Sequence, residues 1–330
     1  MRVLFLRRQR FGGIATYTNL LADALDREDI EAVVDDADDW IPNETGLRTD
    51  RKVGKVLRAS ARGFDLVHAF GFRTAWACEA ALRGEQPWIY TAHDMPRTTH
   101  PLLIERLNGS RKGVCSSNAC VNILENAGAK RLQLVFPGLP MNRRVLDKSE
   151  SRAMLGVTDD EFLLTAAGRF VKQHGLSSLI RAVDSLPSHV RLIISGKGPL
   201  EQELRREAGE RVEITTELFS QQQALAAADL VVVPSTDAGF SFSAIEGMYH
   251  GTPALMRRLG GLTDIATDKE TGFFFESDEE MHDVLSHLCH KEEIVAEVGQ
   301  AAAQHVREKF DLARTANEHA EVYRSIVQKN

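Results

Sequence analysis

"LVVVPSTDAGFSFSAIEGMYHGTPALMRR", Leu230 to Arg258, holds the pattern on which the fold turns. Two short apolar runs, LVVVPS and TPALMRR, bracket a Gly- and Ser-bearing segment that leads into a helix start near Phe240 to Phe242. A strand, a loop, a helix and a second strand within about 30 residues is one parallel crossover unit, because neighbouring parallel strands need a long connection, usually a helix.

The same alternation extends in both directions. In the first half the runs read as strands are RVLFL (2 to 6), EAVVD (31 to 35), DLVHAF (65 to 70), WIYTAH (88 to 93), GVCSS (113 to 117) and LQLVFP (132 to 137). Helical period separates them, as in ATYTNLLADALDR, where Tyr17, Leu20, Leu21, Ala24 and Leu25 share one face. After a break marked by Pro137, Gly138 and Pro140 the series restarts with FLLTAAG (162 to 168), VRLIISG (190 to 196), VEITTE (212 to 217), LVVVPS, TPALMRR and GFFFE (272 to 276). The expectation is an α/β protein of two doubly wound, Rossmann-like domains facing across a cleft: residues 1–140, with a C-terminal amphipathic helix over 312–330 crossing back onto them, and residues 150–311.

Composition agrees with this size. A chain of 330 residues suggests two domains of roughly 150 residues each. With 43% hydrophobic and 26% charged residues it is ordinary for a soluble globular protein, and a net charge of −7 argues against a general polyanion binder, so no nucleic acid is expected. Cys78, Cys115, Cys120 and Cys289 have neither CxxC spacing nor a paired framework and read as reduced core thiols. RVLFL is too short for a signal peptide or a membrane span, and the expected location is cytoplasmic, with room for membrane association. No Asp, Glu, His or Cys cluster has metal-ligand spacing: HDM at 93–95 is no DxD, and DDADD at 35–39 reads as a solvated turn, so neither a metal nor a cofactor is expected.

Three loops of the second half, GRFVKQHG (168 to 175), SGKGP (195 to 199) and PSTDAGFSFS (234 to 243), follow strands and therefore share one end of the sheet. Taken in order with the Gly12-Gly13 turn, DLVHAF, YTAHD, AAADLVVVPS, GTPAL and GGLTDIATDKETGFFF, they make the chain resemble the retaining GT-B glycosyltransferases of family 4, the group 1 glycosyl transferases. The resemblance covers almost the whole chain. It implies transfer of a hexose-type sugar from a nucleoside-diphosphate donor, a UDP- or GDP-sugar, to a hydroxyl acceptor that can be anionic or lipid-linked, without a metal. Peripheral membrane contact would follow from such an acceptor. Residues 1–140 would be the acceptor side and 150–311 the donor side.

The leaving diphosphate needs positive charge and aimed amides. The family's Arg falls on Arg169; its Lys falls on His174, with Lys172 two residues earlier. Either Lys172 takes the role or His174 does so as imidazolium. Of the family's two glutamates seven residues apart, the ribose-binding one falls on Glu246, whereas the sugar-binding one falls on Ala238, beside Asp237. The resemblance further places Phe240, Ser241, Phe242, Ser243, Gly196 and Phe219 at the donor, Gly12 and Gly13 where a phosphate or acceptor approaches the backbone, and His93 near the reaction centre. Arg7, Arg8 and Arg10 could hold an anionic acceptor or a membrane phosphate, or form a charged loop; His68 reads as structural. Loss of both the first Glu and the Lys leaves a second reading, a catalytically silent nucleotide-sugar binder or partner subunit. A phosphorylase would need a pyridoxal lysine and a longer chain, and no carboxylate is placed for an epimerase.

Overall fold

The computed structural model describes residues 1–8, 12–41, 47–93, 95–96 and 98–328; the side chains of 39, 47–51 and 218–220 also lie outside the described set. The chain divides into two units, Met1–Pro140 with Phe310–Asn330, and Met141–Lys309.

Unit 1 runs β1 (Arg2–Arg7), α1 (Gly13–Leu25), β2 (Glu31–Asp36), α2 (Leu47–Ser60), β3 (Leu66–Phe70), α3 (Phe72–Leu82), β4 (Trp88–Ala92), α4 (Pro101–Leu107), β5 (Gly113–Cys115), α5 (Asn118–Asn126) and β6 (Leu132–Leu134). Unit 2 runs α6 (Lys148–Leu155), β7 (Phe162–Ala167), α7 (Leu176–Ser185), β8 (Val190–Ser195), α8 (Glu201–Glu207), β9 (Val212–Thr215), α9 (Leu218–Ala227), β10 (Leu230–Val233), α10 (Phe242–Tyr249), β11 (Ala254–Arg257), β12 (Phe273–Phe275), α11 (Asp278–Leu288) and α12 (Glu292–Lys309). The last helix, α13 (Leu312–Val327), belongs to unit 1 and packs on α1.

Each unit holds one six-stranded parallel sheet, ordered β2-β1-β3-β4-β5-β6 and β12-β11-β10-β7-β8-β9. Central strands such as β3 and β4 are buried on both faces, which is why their sequences are continuous apolar runs; β2, at an edge, is half-exposed and carries Glu31, Asp35 and Asp36. All twelve runs expected as strands form strands, and the α/β class and doubly wound sheets are those expected. Several strands are shorter than their apolar run: LQLVFP pairs only over Leu132–Leu134 and TPALMRR only over Ala254–Arg257. Apolar character continues into buried loop residues such as Val135 and Pro253, whereas the ladder stops where a neighbouring strand stops. All four cysteines are buried free thiols.

α13 is fastened to unit 1 by a polar network inside an aromatic core. His319 Nε2 lies 2.9 Å from Tyr17 Oη, His68 Nδ1 lies 2.7 Å from Tyr323 Oη, and His68 Nε2 lies 2.6 Å from Thr91 Oγ1. His319 and Tyr323 stand one helical turn apart, so a single face of α13 reaches both α1 and β3. The structural reading of His68 fits this place.

Burial lowers the His68 imidazole well below its ordinary 6.5 and takes His93 and His319 to about 3, with repulsion from neighbouring imidazoles adding to the effect at His68 and His319. The folded state therefore holds them neutral while the unfolded chain protonates them. Stability is complete above about pH 6.5 and is lost as the pH falls from there toward about 3, by up to about 1.4 kcal/mol per pH unit for each histidine. Urea unfolding should thus show a lower midpoint at about pH 5 than at about pH 7, and His319→Gln should flatten the dependence. An unchanged slope in that variant would contradict the assignment.

Candidate functional site

In unit 2 the chain leaves β7 for β8 and β9 on one side, then crosses back to place β10 on the other side of β7. Right-handed crossovers send the flanking helices to opposite faces, so the loops after β7 and β10 part and leave a crevice at the carboxyl ends. These loops are the GRFVKQHG and PSTDAGFSFS segments.

Backbone bonds join the loops to one another. Gly168 N donates to Ser195 O (3.0 Å), Phe170 N to Lys197 O (2.9 Å), Leu200 N to Phe170 O (3.1 Å), and Thr236 N to Gln173 O (2.8 Å). Gly196 is required by proximity: a Cβ there would lie 1.8 Å from the carbonyl oxygen of Gly168. The expected Gly196 thus stands at the junction of two loops, where its lack of a side chain lets the first cross over the second.

Arg169 and Lys172 are exposed, whereas His174 is partly buried, with Nδ1 only 2.8 Å from where a Cβ on Gly168 would sit. Burial, then repulsion from Arg169, lowers the His174 imidazole to about 4, against the opposing attraction of Asp237. At neutral pH it is a neutral imidazole, one donor and one acceptor without net charge. Among the expected donor residues, Asp237 therefore sits beside the His174 loop, and Ala238 O accepts from Gly261 N at 3.1 Å.

Ser241 caps α10: its hydroxyl accepts from Ala244 N at 3.3 Å and lies 3.2 Å from the Ser243 hydroxyl. The Phe240 and Phe242 rings meet edge to face at 5.5 Å and flank this helix start. One turn further on, Glu246 is mostly buried, and Arg143 Nη1 approaches its Oε1 at 3.4 Å. Burial raises the Glu246 carboxyl above its ordinary value and Arg143 opposes the rise. The side chain of Phe219 lies outside the described residues.

In unit 1, Gly12 caps α1 with φ +95°, a backbone state that disfavours any side chain, and Gly13 opens the helix. The switch point of this sheet lies between β1 and β3, and Gly71 caps α3 at its other lip, as Gly12 caps α1; the sequence reading did not single it out. His93, just past β4, is buried, and neither ring nitrogen has a hydrogen-bond partner among the described residues. Its ring stacks on Phe70 at 5.8 Å and meets Tyr17 edge to face at 4.8 Å. Arg7 is a correction: it is no anion receptor but a buried tie, bonded to Asp36 at 2.6 Å and to Ala15 O, Thr18 Oγ1 and Asn19 Oδ1 of α1. Arg8 is repelled by Arg73 and attracted by Asp38, and Arg10 lies outside the described residues.

The family profile described as "Glycosyl transferases group 1" matches residues 161–291. Residues 161–291 form a group 1 glycosyltransferase domain, and the chain has the GT-B fold. A D-inositol 3-phosphate glycosyltransferase of Xylanimonas cellulosilytica is 28% identical over 274 residues, 70% of this chain and 64% of that protein, so the chain spans less than two thirds of this relative. Among solved structures, Anabaena HepE in complex with UDP superposes with a TM-score of 0.81 at 22% identity, over 98% of this chain and all of that one. Sucrose-phosphate synthase from Thermosynechococcus elongatus superposes with a TM-score of 0.85 at 18% identity over both chains in full.

Within the GT-B chain the residue that sequence reasoning missed is Arg143. MNRRVL offered two adjacent arginines and nothing to separate them; in the structure Arg144 is exposed and pairs with Glu150 at 3.6 Å, while Arg143 turns in to Glu246. A group 1 domain whose loops rest on backbone contact should be sensitive at the contact itself. Gly196→Ala is expected to lower unit 2 stability by about 1–3 kcal/mol, an overpacking cost. Gly54→Ala in α2, whose nearest neighbour would be 3.4 Å away, should be neutral or stabilising. Urea titration of both variants checks the contrast.

Proposed function

We propose that this chain is a glycosyltransferase that takes a sugar from a nucleoside diphosphate and passes it to a hydroxyl acceptor with retention at the anomeric carbon. The observation that carries the reading is the crevice between β7 and β10, where a loop with two exposed cations, Arg169 and Lys172, adjoins the start of a capped helix that carries the buried acid Glu246. It is supported by the group 1 match and by the UDP and UDP-glucose that Anabaena HepE was crystallised with, which favour a uridine donor. The inositol phosphate in the relatives' names favours an anionic hydroxyl acceptor. Residues 150–311 would serve as donor domain, and residues 1–140 with 312–330 as the acceptor side.

In this reading Glu246 accepts hydrogen bonds from the ribose hydroxyls, while Ser241, Ser243 and the amides at Phe240 and Phe242 lie toward the phosphates and sugar. Arg169 and Lys172 stabilise the diphosphate as the bond from the anomeric carbon to phosphate oxygen breaks. The acceptor oxygen bonds to that carbon on the same face, and its proton passes to the departing phosphate, so no protein nucleophile and no metal are required. His174, neutral in the free protein, supplies a hydrogen bond and no charge, which favours Lys172 as the second cation. His93 offers a neutral imidazole with open nitrogens to a sugar or acceptor hydroxyl, while Gly12 and Gly13 leave the backbone approachable. Such an enzyme would work in the cytoplasm.

Glu246→Ala should weaken UDP or GDP binding by about 1.5–3 kcal/mol, the worth of hydrogen bonds to a charged group, whereas Asp237→Ala should cost far less. Titration calorimetry decides, and equal affinities for wild type and Glu246→Ala would sink the assignment. In turnover assays Lys172→Ala should be more damaging than His174→Ala, with activity retained in EDTA. Ala238, where the family has an acid, favours a second reading: a binder of nucleotide sugars without transfer. Nucleotide binding with no hydrolysis or transfer of any donor in a panel would select it.

A further inference from the structure

Glu246 does not face its crevice alone. On α10 it shares one face with Tyr249 and His250, three and four residues on, and these two hold the segment 141–146 against the helix. The Tyr249 hydroxyl donates to the carbonyls of Arg143 (2.7 Å) and Met141 (3.2 Å), and Leu146 N donates to His250 Nδ1 at 3.2 Å. Arg307 of α12 in turn fixes Tyr249, donating to its carbonyl at 3.2 Å and lying 5.2 Å over its ring. The strap so held is bonded on both sides of Arg143 and returns that guanidinium to Glu246, one turn back along the same helix. The 3.4 Å separation is long for a hydrogen bond but within ion-pair distance, and both side chains are largely shielded, at 30% and 14% exposure.

From this geometry we infer that Arg143 is a positioning residue: the Met141–Leu146 strap delivers it to keep the Glu246 carboxylate charged and aimed, ready to accept hydrogen bonds. The inference rests on the proposed role of Glu246 in nucleotide binding. A carboxyl group so deeply placed is driven toward its neutral form, and a neutral acid offers a ribose fewer acceptor sites. The other ionisable groups on this face do not substitute for the guanidinium. His250 is lowered to about 4 by burial and by Arg143 and Arg307, so it is uncharged at neutral pH, and Arg307 is directed to Tyr249. α9 and β10 carry no ionisable residue, and Arg257 of β11 is engaged by Asp278.

The test reads Glu246 directly. In protein labelled with carbon-13 at the glutamate carboxyls, the Glu246 signal is identified by its loss in Glu246→Gln and followed against pH. Arg143→Met should move its midpoint up by about one pH unit or more, the effect of losing an opposite charge at this range. Arg143→Lys should restore most of the difference, and Arg144→Met should change nothing. Tyr249→Phe keeps the charge but frees the strap, and should raise the midpoint by a smaller amount; it carries the test should Arg143→Met fail to fold. Calorimetry with UDP should then show affinity in Arg143→Met falling more steeply than in wild type as the pH is lowered from about 8 to about 6. An unmoved Glu246 midpoint in Arg143→Met, or in Tyr249→Phe where the first does not fold, overturns the inference. A moved midpoint in a protein that binds no nucleotide upholds the pairing and removes the donor role assigned to Glu246.

Discussion

A parallel sheet that grows first to one side of a strand and then to the other must open at that strand's carboxyl end, because right-handed crossovers put the two departing helices on opposite faces. In unit 2 this happens at β7, and everything chemically notable in the unit follows from it. The loop bearing Arg169, Lys172 and His174 leaves on one side, and the loop leading to Ser241 and Glu246 leaves on the other. Unit 1 repeats the device between β1 and β3, with a glycine cap at each lip, Gly12 and Gly71. An opening made by topology still needs walls of definite shape. Those are supplied by backbone contact, Gly196 lying under the carbonyl of Gly168 and Thr236 bonded to Gln173, which leaves side chains free to face outward.

The two ends of the crevice are polarised differently. At one end lie exposed guanidinium and ammonium groups and a helix start; at the other, a mostly buried carboxyl group paired with the Arg143 guanidinium. His174 belongs electrically to neither. Packed against Gly168 and repelled by Arg169, it stays neutral and brings no charge to the loop. The same physics acts in unit 1, where His68, His93 and His319 are kept neutral inside an aromatic core. There the histidines divide by partner: His68 bonds on both ring nitrogens, His319 on one, and His93 on none among the described residues. A buried imidazole with unmet hydrogen-bonding capacity lowers stability.

Much of this was legible in the chain. Twelve apolar runs separated by helical periods can fold in few ways other than two doubly wound sheets, since burial on both faces demands continuous apolar strands and parallel order demands crossovers. The positions of Arg169, Lys172, Ser241 and Glu246 immediately after strands or at a helix start followed from the same alternation, because a residue's distance from a strand end is a sequence property. What tertiary structure alone decided were the partners and the charge states. Arg7 and Arg143 look alike in sequence, each in an arginine cluster beside a glycine- or proline-bearing turn; folding buried the first against Asp36 and α1, and turned the second onto Glu246 through a strap held by Tyr249 and His250. Whether a histidine is a cation or a neutral donor depends on how much water its neighbours exclude and which charges they bring. Those are distances between residues far apart in the chain, and no local pattern encodes them.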